Sequence, residues 1–130
     1  MIRAYEESDF EAIQRMHAQS GLPPECLPDL TNPNFRVKII ADHQGQAVQA
    51  GFVKLTGEGY VLISPEFGEP GERLEVVERL IAAGLAEAAS AGLDQVTVWI
   101  PPEIERSFGR RLESLGFAKS RWASYTANLR

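Results

Sequence analysis

The chain has 130 residues, 44% hydrophobic and 24% charged, with a formal net charge of −5. That length suits one domain, 1–130, with one buried core. The acidic balance excludes nucleic acid and anionic membranes as main partners, since both require a basic surface.

No apolar run approaches the roughly 18 residues of a membrane span, and Met1-Ile2-Arg3-Ala4-Tyr5 is not the start of a signal peptide. A single cysteine, Cys26, allows no internal disulfide and fits a reducing cytoplasm.

Taken in order, the chain opens with a short strand around Ile2–Tyr5. Ser8-Asp9-Phe10-Glu11 then has the form of a capping box, Ser8 bonding the N3 amide and Glu11 reaching back. Ile13 and Met16 continue that helix to Gly21, and Pro23 and Pro24 end it. Residues 21–34, which also hold Pro28 and Pro33, form a restrained loop with at most a short helical turn.

Three strands follow: Phe35–Ala41, Val48–Thr56 and Tyr60–Ser64. They are separated by turns at Asp42-His43-Gln44-Gly45-Gln46 and Gly57-Glu58-Gly59, the pattern of antiparallel hairpins.

From Glu72 to Ala91 the period becomes helical, with Leu74, Val77, Leu80, Ile81, Leu85 and Ala88 on one face and Gly92 as the cap. Gly84, inside that helix, implies a close neighbour, because glycine there costs about 1 kcal/mol against alanine. Gln95–Ile100 alternates as a strand and stops at Pro101-Pro102. Ile104, Phe108, Leu112 and Leu115 fall at helical spacing before Gly116, and Phe117–Trp122 and Ser124–Leu129 read as closing strands.

The predicted order is therefore β-α-β-β-β-α-β-α-β-β. The fold class is α/β (α+β), a mixed, mainly antiparallel sheet flanked by helices. The helix at residues 72–91 links Tyr60–Ser64 to Gln95–Ile100 as an adjacent parallel pair.

Ser64-Pro65-Glu66-Phe67-Gly68-Glu69-Pro70-Gly71-Glu72-Arg73-Leu74 is a strand exit, a glycine-bearing turn and the first turn of a helix. Such a segment holds phosphate through unpaired amides and the positive end of the helix dipole. Here Glu66, Glu69 and Glu72 oppose an anion, although acidic residues also simply suit a helix N-terminus.

The order of elements, with Ile63-Ser64-Pro65-Glu66-Phe67 and Leu112-Glu113-Ser114-Leu115-Gly116-Phe117, resembles the GNAT superfamily of acyl-CoA N-acyltransferases along nearly the whole chain. The first motif is similar to the family's Val-x-Pro-Glu-Tyr strand exit, the second to its Tyr-Glu-Lys-Leu-Gly-Phe helix end. The resemblance implies acetyl-coenzyme A as cofactor, with the backbone of Leu62, Ile63 and Ser64 along the pantetheine. Gly68, Gly71, Arg73 and Leu74 would then lie at the pyrophosphate, and the acceptor would enter over residues 21–34.

The family's loop reads Gln/Arg-x-x-Gly-x-Gly/Ala, and of its marked residues only Gly71 is kept. Gly68 replaces the base, Pro70 has no N–H to donate, and Arg73 stands where a small residue admits phosphate, although its guanidinium fork can itself pair with one. Leu112 replaces the tyrosine that protonates the leaving thiolate in many members, and Glu105 and Phe108 replace the usual asparagine and alanine.

Two functional expectations result. One is a divergent N-acetyltransferase with a weakened cofactor loop, moving acetyl from acetyl-coenzyme A to a small-molecule or peptide primary amine. The other is a catalytically inactive module of the same build, serving ligand sensing or protein association.

No catalytic residue is fixed by the sequence. Glu58 and Tyr60 are the nearest candidates for a general base, against an ordinary surface and packing role. His17, His43 and Cys26 have no metal-ligand spacing, so no metal is expected. Arg106, Arg110 and Arg111 are balanced by Glu103, Glu105 and Glu113 as a solvated face. Trp99, Trp122 and Tyr125 suit core packing first and a pocket or homodimer seam second.

Overall fold

Three strands rich in alternating apolar residues make an antiparallel sheet in the order β1-β2-β3: β1 (Ile2–Ala4), β2 (Phe35–His43) and β3 (Gln46–Lys54). This is a computed structural model describing residues 1–130, and it divides into two compact units, Met1–Thr56 and Gly57–Arg130. The β2–β3 register pairs His43 with Gln46, leaving Gln44 and Gly45 as a two-residue turn with φ of 53° and 78°. Two positive φ values in succession are those of a type I′ turn, whose twist matches its strands. The Asp42 carboxylate accepts the Gly45 N–H at 3.0 Å and fixes that turn.

In the first unit, α1 (Phe10–Ser20) packs against β3 and ends at Gly21 with φ 71°, the left-handed cap expected of glycine. Ile13, Leu30 and Ile40 form its buried core, joined by Phe10, Met16, Phe35 and Phe52. Phe35 and Phe52 meet edge to face, ring centroids 6.4 Å apart. Pro24–Cys26 makes one 3₁₀ turn in the restrained loop, and His17 Nε2 bonds the Pro23 carbonyl at 2.8 Å.

The start of α1 differs from the Ser8–Glu11 capping box. The box forms two residues earlier, where the Glu6 N–H donates to the Asp9 carboxylate at 2.8 Å and Glu7–Asp9 turns as 3₁₀. Asp9 is drawn there by Arg3, whose guanidinium donates to both Asp9 oxygens at 2.8 and 2.9 Å and to Asp42 at 3.1 Å. One side chain thus ties β1, the entry to α1 and the end of β2.

The Arg3 bonds, then the Glu6 amide, hold the Asp9 carboxyl down at about 2. An unfolded aspartate titrates near about 3.9, so the stability from this pairing is complete above that value and is lost as pH falls through the folded one. Arg3 is raised further above its already high value and stays charged throughout. An acid titration of β2 and β3 amide protection is expected to show a loss between about pH 4 and pH 2. Asp9→Asn should flatten that segment, and an unchanged profile in the variant would contradict the assignment.

The second unit is a strand–helix–strand crossover followed by a helix: β4 (Gly57–Gly59), α2 (Pro70–Ser90), β5 (Val96–Val98) and α3 (Pro102–Ser114). β4 and β5 are parallel neighbours, pairing Gly57 with Val96, Glu58 with Thr97 and Gly59 with Val98. Both helices begin with proline, whose missing N–H has no partner to lose in a first turn. Gly92 and Gly116 follow the helix ends with φ of 89° and 94°.

Three expectations are corrected here. The parallel partner of β5 is Gly57–Gly59, the segment read as a turn, and Tyr60–Ser64 is not a strand. The glycines permit this pairing, because a Cβ at Gly57 would stand 3.1 Å from Leu93 Cδ1 and one at Gly59 would stand 3.1 Å from Val98 Cγ2.

Phe117–Trp122 and Ser124–Leu129 form no strands either. The Ser120 hydroxyl accepts the Trp122 N–H at 3.1 Å, a local bond that competes with a ladder, and Lys119 pairs with Glu105 at 2.5 Å. Finally, the strands form a three-stranded antiparallel sheet and a two-stranded parallel one, not a single mixed sheet. Trp99, Trp122 and Tyr125 are all exposed, so none of them fills a core.

Candidate functional site

The second unit holds two features that a ligand could use: the segment running from β4 into α2, and a cavity against the parallel pair. The ladder stops at Gly59 and Val98, and no backbone–backbone bond ties Val61, Leu62 or Ile63. Leu62 is 96% exposed, and Ile63 and Ser64 are exposed as well. The chain therefore leaves the sheet at the carboxyl ends of two parallel strands and runs on, exposed, towards the turn before α2. Open α/β sheets generally bind ligands at that place.

The turn that follows is filled by its own side chains. Gly68 has φ 55°, and Arg73 Nη1 donates to the carbonyls of Phe67 at 2.9 Å and Gly68 at 2.5 Å. The Glu72 carboxylate lies 2.7 Å from where a Cβ on Gly68 would stand. Glu69 is the N-cap residue without a side-chain cap bond, and Pro70 is the first helical residue.

Gly71 has open space around it, and Leu74 is half-buried on the inner face of α2. Arg73 is thus engaged with carbonyl oxygens, and a carboxylate lies over the glycine where the resemblance would place an anion. Such a turn grips an anion poorly.

Glu58 and Tyr60 stand two residues apart, on one side of an extended segment. The neighbouring Glu58 carboxylate, through hydrogen bonding and then its charge, pushes the Tyr60 phenol above its ordinary value. Tyr60 therefore stays protonated at neutral pH and is no base, leaving Glu58 as the acceptor of the pair. Leu112, where the resemblance would place a proton-donating tyrosine, is a core residue, 5% exposed.

The cavity has a volume of about 330 Å³ and is bounded by Gly57, Gly59 and Val61, by Leu80, Gly84 and Leu85 of α2, and by Phe108 and Leu112 of α3. Sequence reading missed it. The signal was the alternation Gly57–Gly59 opposite Val96–Val98, with Gly84 on the helix above. The close neighbour expected at Gly84 is not there, since nothing lies within 4 Å of a Cβ built on it.

No group of three or more His, Cys, Asp or Glu side chains is placed to hold a metal ion. No helix is long and apolar enough to cross a membrane. No protein family, curated protein or solved structure matches the chain.

Proposed function

We propose that the chain is a divergent acyl-CoA N-acyltransferase that moves acetyl from acetyl-coenzyme A to a primary amine, with a cofactor grip weakened at the phosphate end. The observation that carries the reading is the end of the parallel ladder at Gly59 and Val98, after which the Leu62 and Ile63 backbone has no backbone partner and the Ser64 carbonyl takes only the Phe67 N–H of the following turn. An extended pantetheine arm is a strand-like ligand that such a backbone can bond.

In the transfer, the neutral amine attacks the thioester carbonyl, the C–N bond forms, and the C–S bond breaks to release thiolate. The proton lost by the amine passes to Glu58 or to water. The thiolate is protonated by solvent, since Leu112 has no proton to give. A missing general acid lowers turnover by about 10²–10⁴-fold. Release of free thiol from acetyl-coenzyme A, dependent on an added primary amine and reduced by Glu58→Gln, is the test. Thiol release that ignores the amine would oppose the reading.

A second reading, a non-catalytic module of the same build for ligand sensing or protein association, is favoured by Arg73 and Glu72 filling the turn. It predicts no amine-dependent release at any cofactor concentration.

A further inference from the structure

The cavity of the second unit stands apart from the turn that the acyl-donor reading uses. Its space comes from glycine at three places. Gly57 and Gly59 are explained by strand pairing, since a Cβ at either would crowd Leu93 or Val98 at 3.1 Å. Gly84 is explained by nothing in the packing. It lies mid-helix, where glycine costs about 1 kcal/mol against alanine, and nothing lies within 4 Å of its Cβ position. Gly84 is exposed on the row Leu80–Gly84–Ala88, where the cavity opens to solvent, and its missing side chain widens that opening.

Size and polarity define what fits. An apolar cavity of about 150 Å³ holds one benzene ring, and ligand pockets begin at about 300 Å³. This one, at about 330 Å³, has room for two rings. Its walls are aliphatic and aromatic, and the glycine backbones of β4 are engaged in the ladder with β5. Two titratable groups, Glu58 and Tyr60, also line it at its exposed edge. An anion would lose its hydration there and meet the Glu58 carboxylate instead of a partner.

We propose that this cavity is a binding site for an uncharged, two-ring aromatic or alicyclic molecule, seated between the Gly57–Gly59 strand and the Gly84 face of α2. The site shares Glu58 with the acyltransferase reading but uses neither Leu62–Ser64 nor the turn before α2, so naphthalene binding stands or falls without that reading.

The test uses naphthalene as probe, naphthalene-1-sulfonate as charged control, and the full chain with Gly84→Leu and Gly84→Ala. In the wild type, naphthalene should raise the unfolding midpoint and move the amide signals of Gly57, Gly59 and Leu85, with the sulfonate at least 10-fold weaker. Gly84→Leu fills the space and should keep its midpoint while losing naphthalene affinity 10-fold or more. Gly84→Ala, which removes only a methyl's volume, should retain binding and unfold at a higher temperature than wild type. Should Gly84→Leu fail to fold, the signal shifts in wild type and Gly84→Ala decide the matter. No shift in the wild type, or equal binding by folded Gly84→Leu, would overturn the site.

Discussion

Ile40→Ala is expected to be the most destabilising single truncation in the first unit, by about 2–5 kcal/mol. Ile40 has no exposed surface and lies between Ile13 of α1 and Leu30 of the proline-rich loop. Its β-strand neighbours on both sides are held in register, against Arg3 on β1 and Ala50 on β3, so the sheet has little freedom to collapse into the void. Urea unfolding followed by far-UV circular dichroism, with amide exchange in β2 and β3, measures the loss. Both tryptophans, Trp99 and Trp122, belong to the second unit, so their fluorescence does not report this change directly. A loss under about 0.5 kcal/mol, the size of a surface substitution, would mean that Ile40 is not the centre of this core.

Repair of the turn before α2 is expected to have the largest effect on binding. Pro70→Lys restores an N–H at the first helical position and adds a positive charge. Glu72→Ala removes the carboxylate that lies over Gly68. Arg73 remains in both variants, and its bonds to the Phe67 and Gly68 carbonyls keep the turn in place.

Against a wild-type dissociation constant for coenzyme A of tens of micromolar or weaker, the double variant should bind about 10–100-fold tighter. The gain should shrink as salt is raised, because both changes act through exposed charge. A folded double variant with unchanged affinity would show that the turn is not what limits the phosphate end.

Much of the fold was legible because it is written in local pattern. The apolar face Leu74, Val77, Leu80, Ile81, Leu85 and Ala88 gave α2 to within two residues at its start and one at its end. Gly21, Gly92 and Gly116 marked helix ends correctly, each with positive φ. Where the reading failed, a contact distant in sequence decided the outcome. Ser8 and Glu11 are a sound capping box by spacing, but Arg3 moves the cap to Glu6 and Asp9. Gly57-Glu58-Gly59 has the composition of a turn and becomes a strand by pairing with Val96–Val98, a close approach that glycine eases because a Cβ would stand 3.1 Å from Leu93 or Val98.

Phe117–Trp122 and Ser124–Leu129 read as a closing pair of strands, but neither finds a ladder partner. The candidate site was legible as a segment, residues 62–74, and not as a set of contacts. The sequence offered Arg73 as a phosphate ligand, whereas its guanidinium turns back onto the Phe67 and Gly68 carbonyls. A side chain's choice between its own backbone and a ligand has no signature in spacing.

The central claim is that the donor lies along Leu62–Ser64 while its pyrophosphate is scarcely held. Comparing acetyl-coenzyme A with acetyl-pantetheine, which lacks the nucleotide and its pyrophosphate, tests it most directly. Calorimetry should give dissociation constants within about 3-fold of each other, less than about 1 kcal/mol apart, and both ligands should move the amide signals of Leu62, Ile63 and Ser64. Acetyl-coenzyme A binding 100-fold more tightly than acetyl-pantetheine, or neither ligand moving those signals at millimolar concentration, would contradict it.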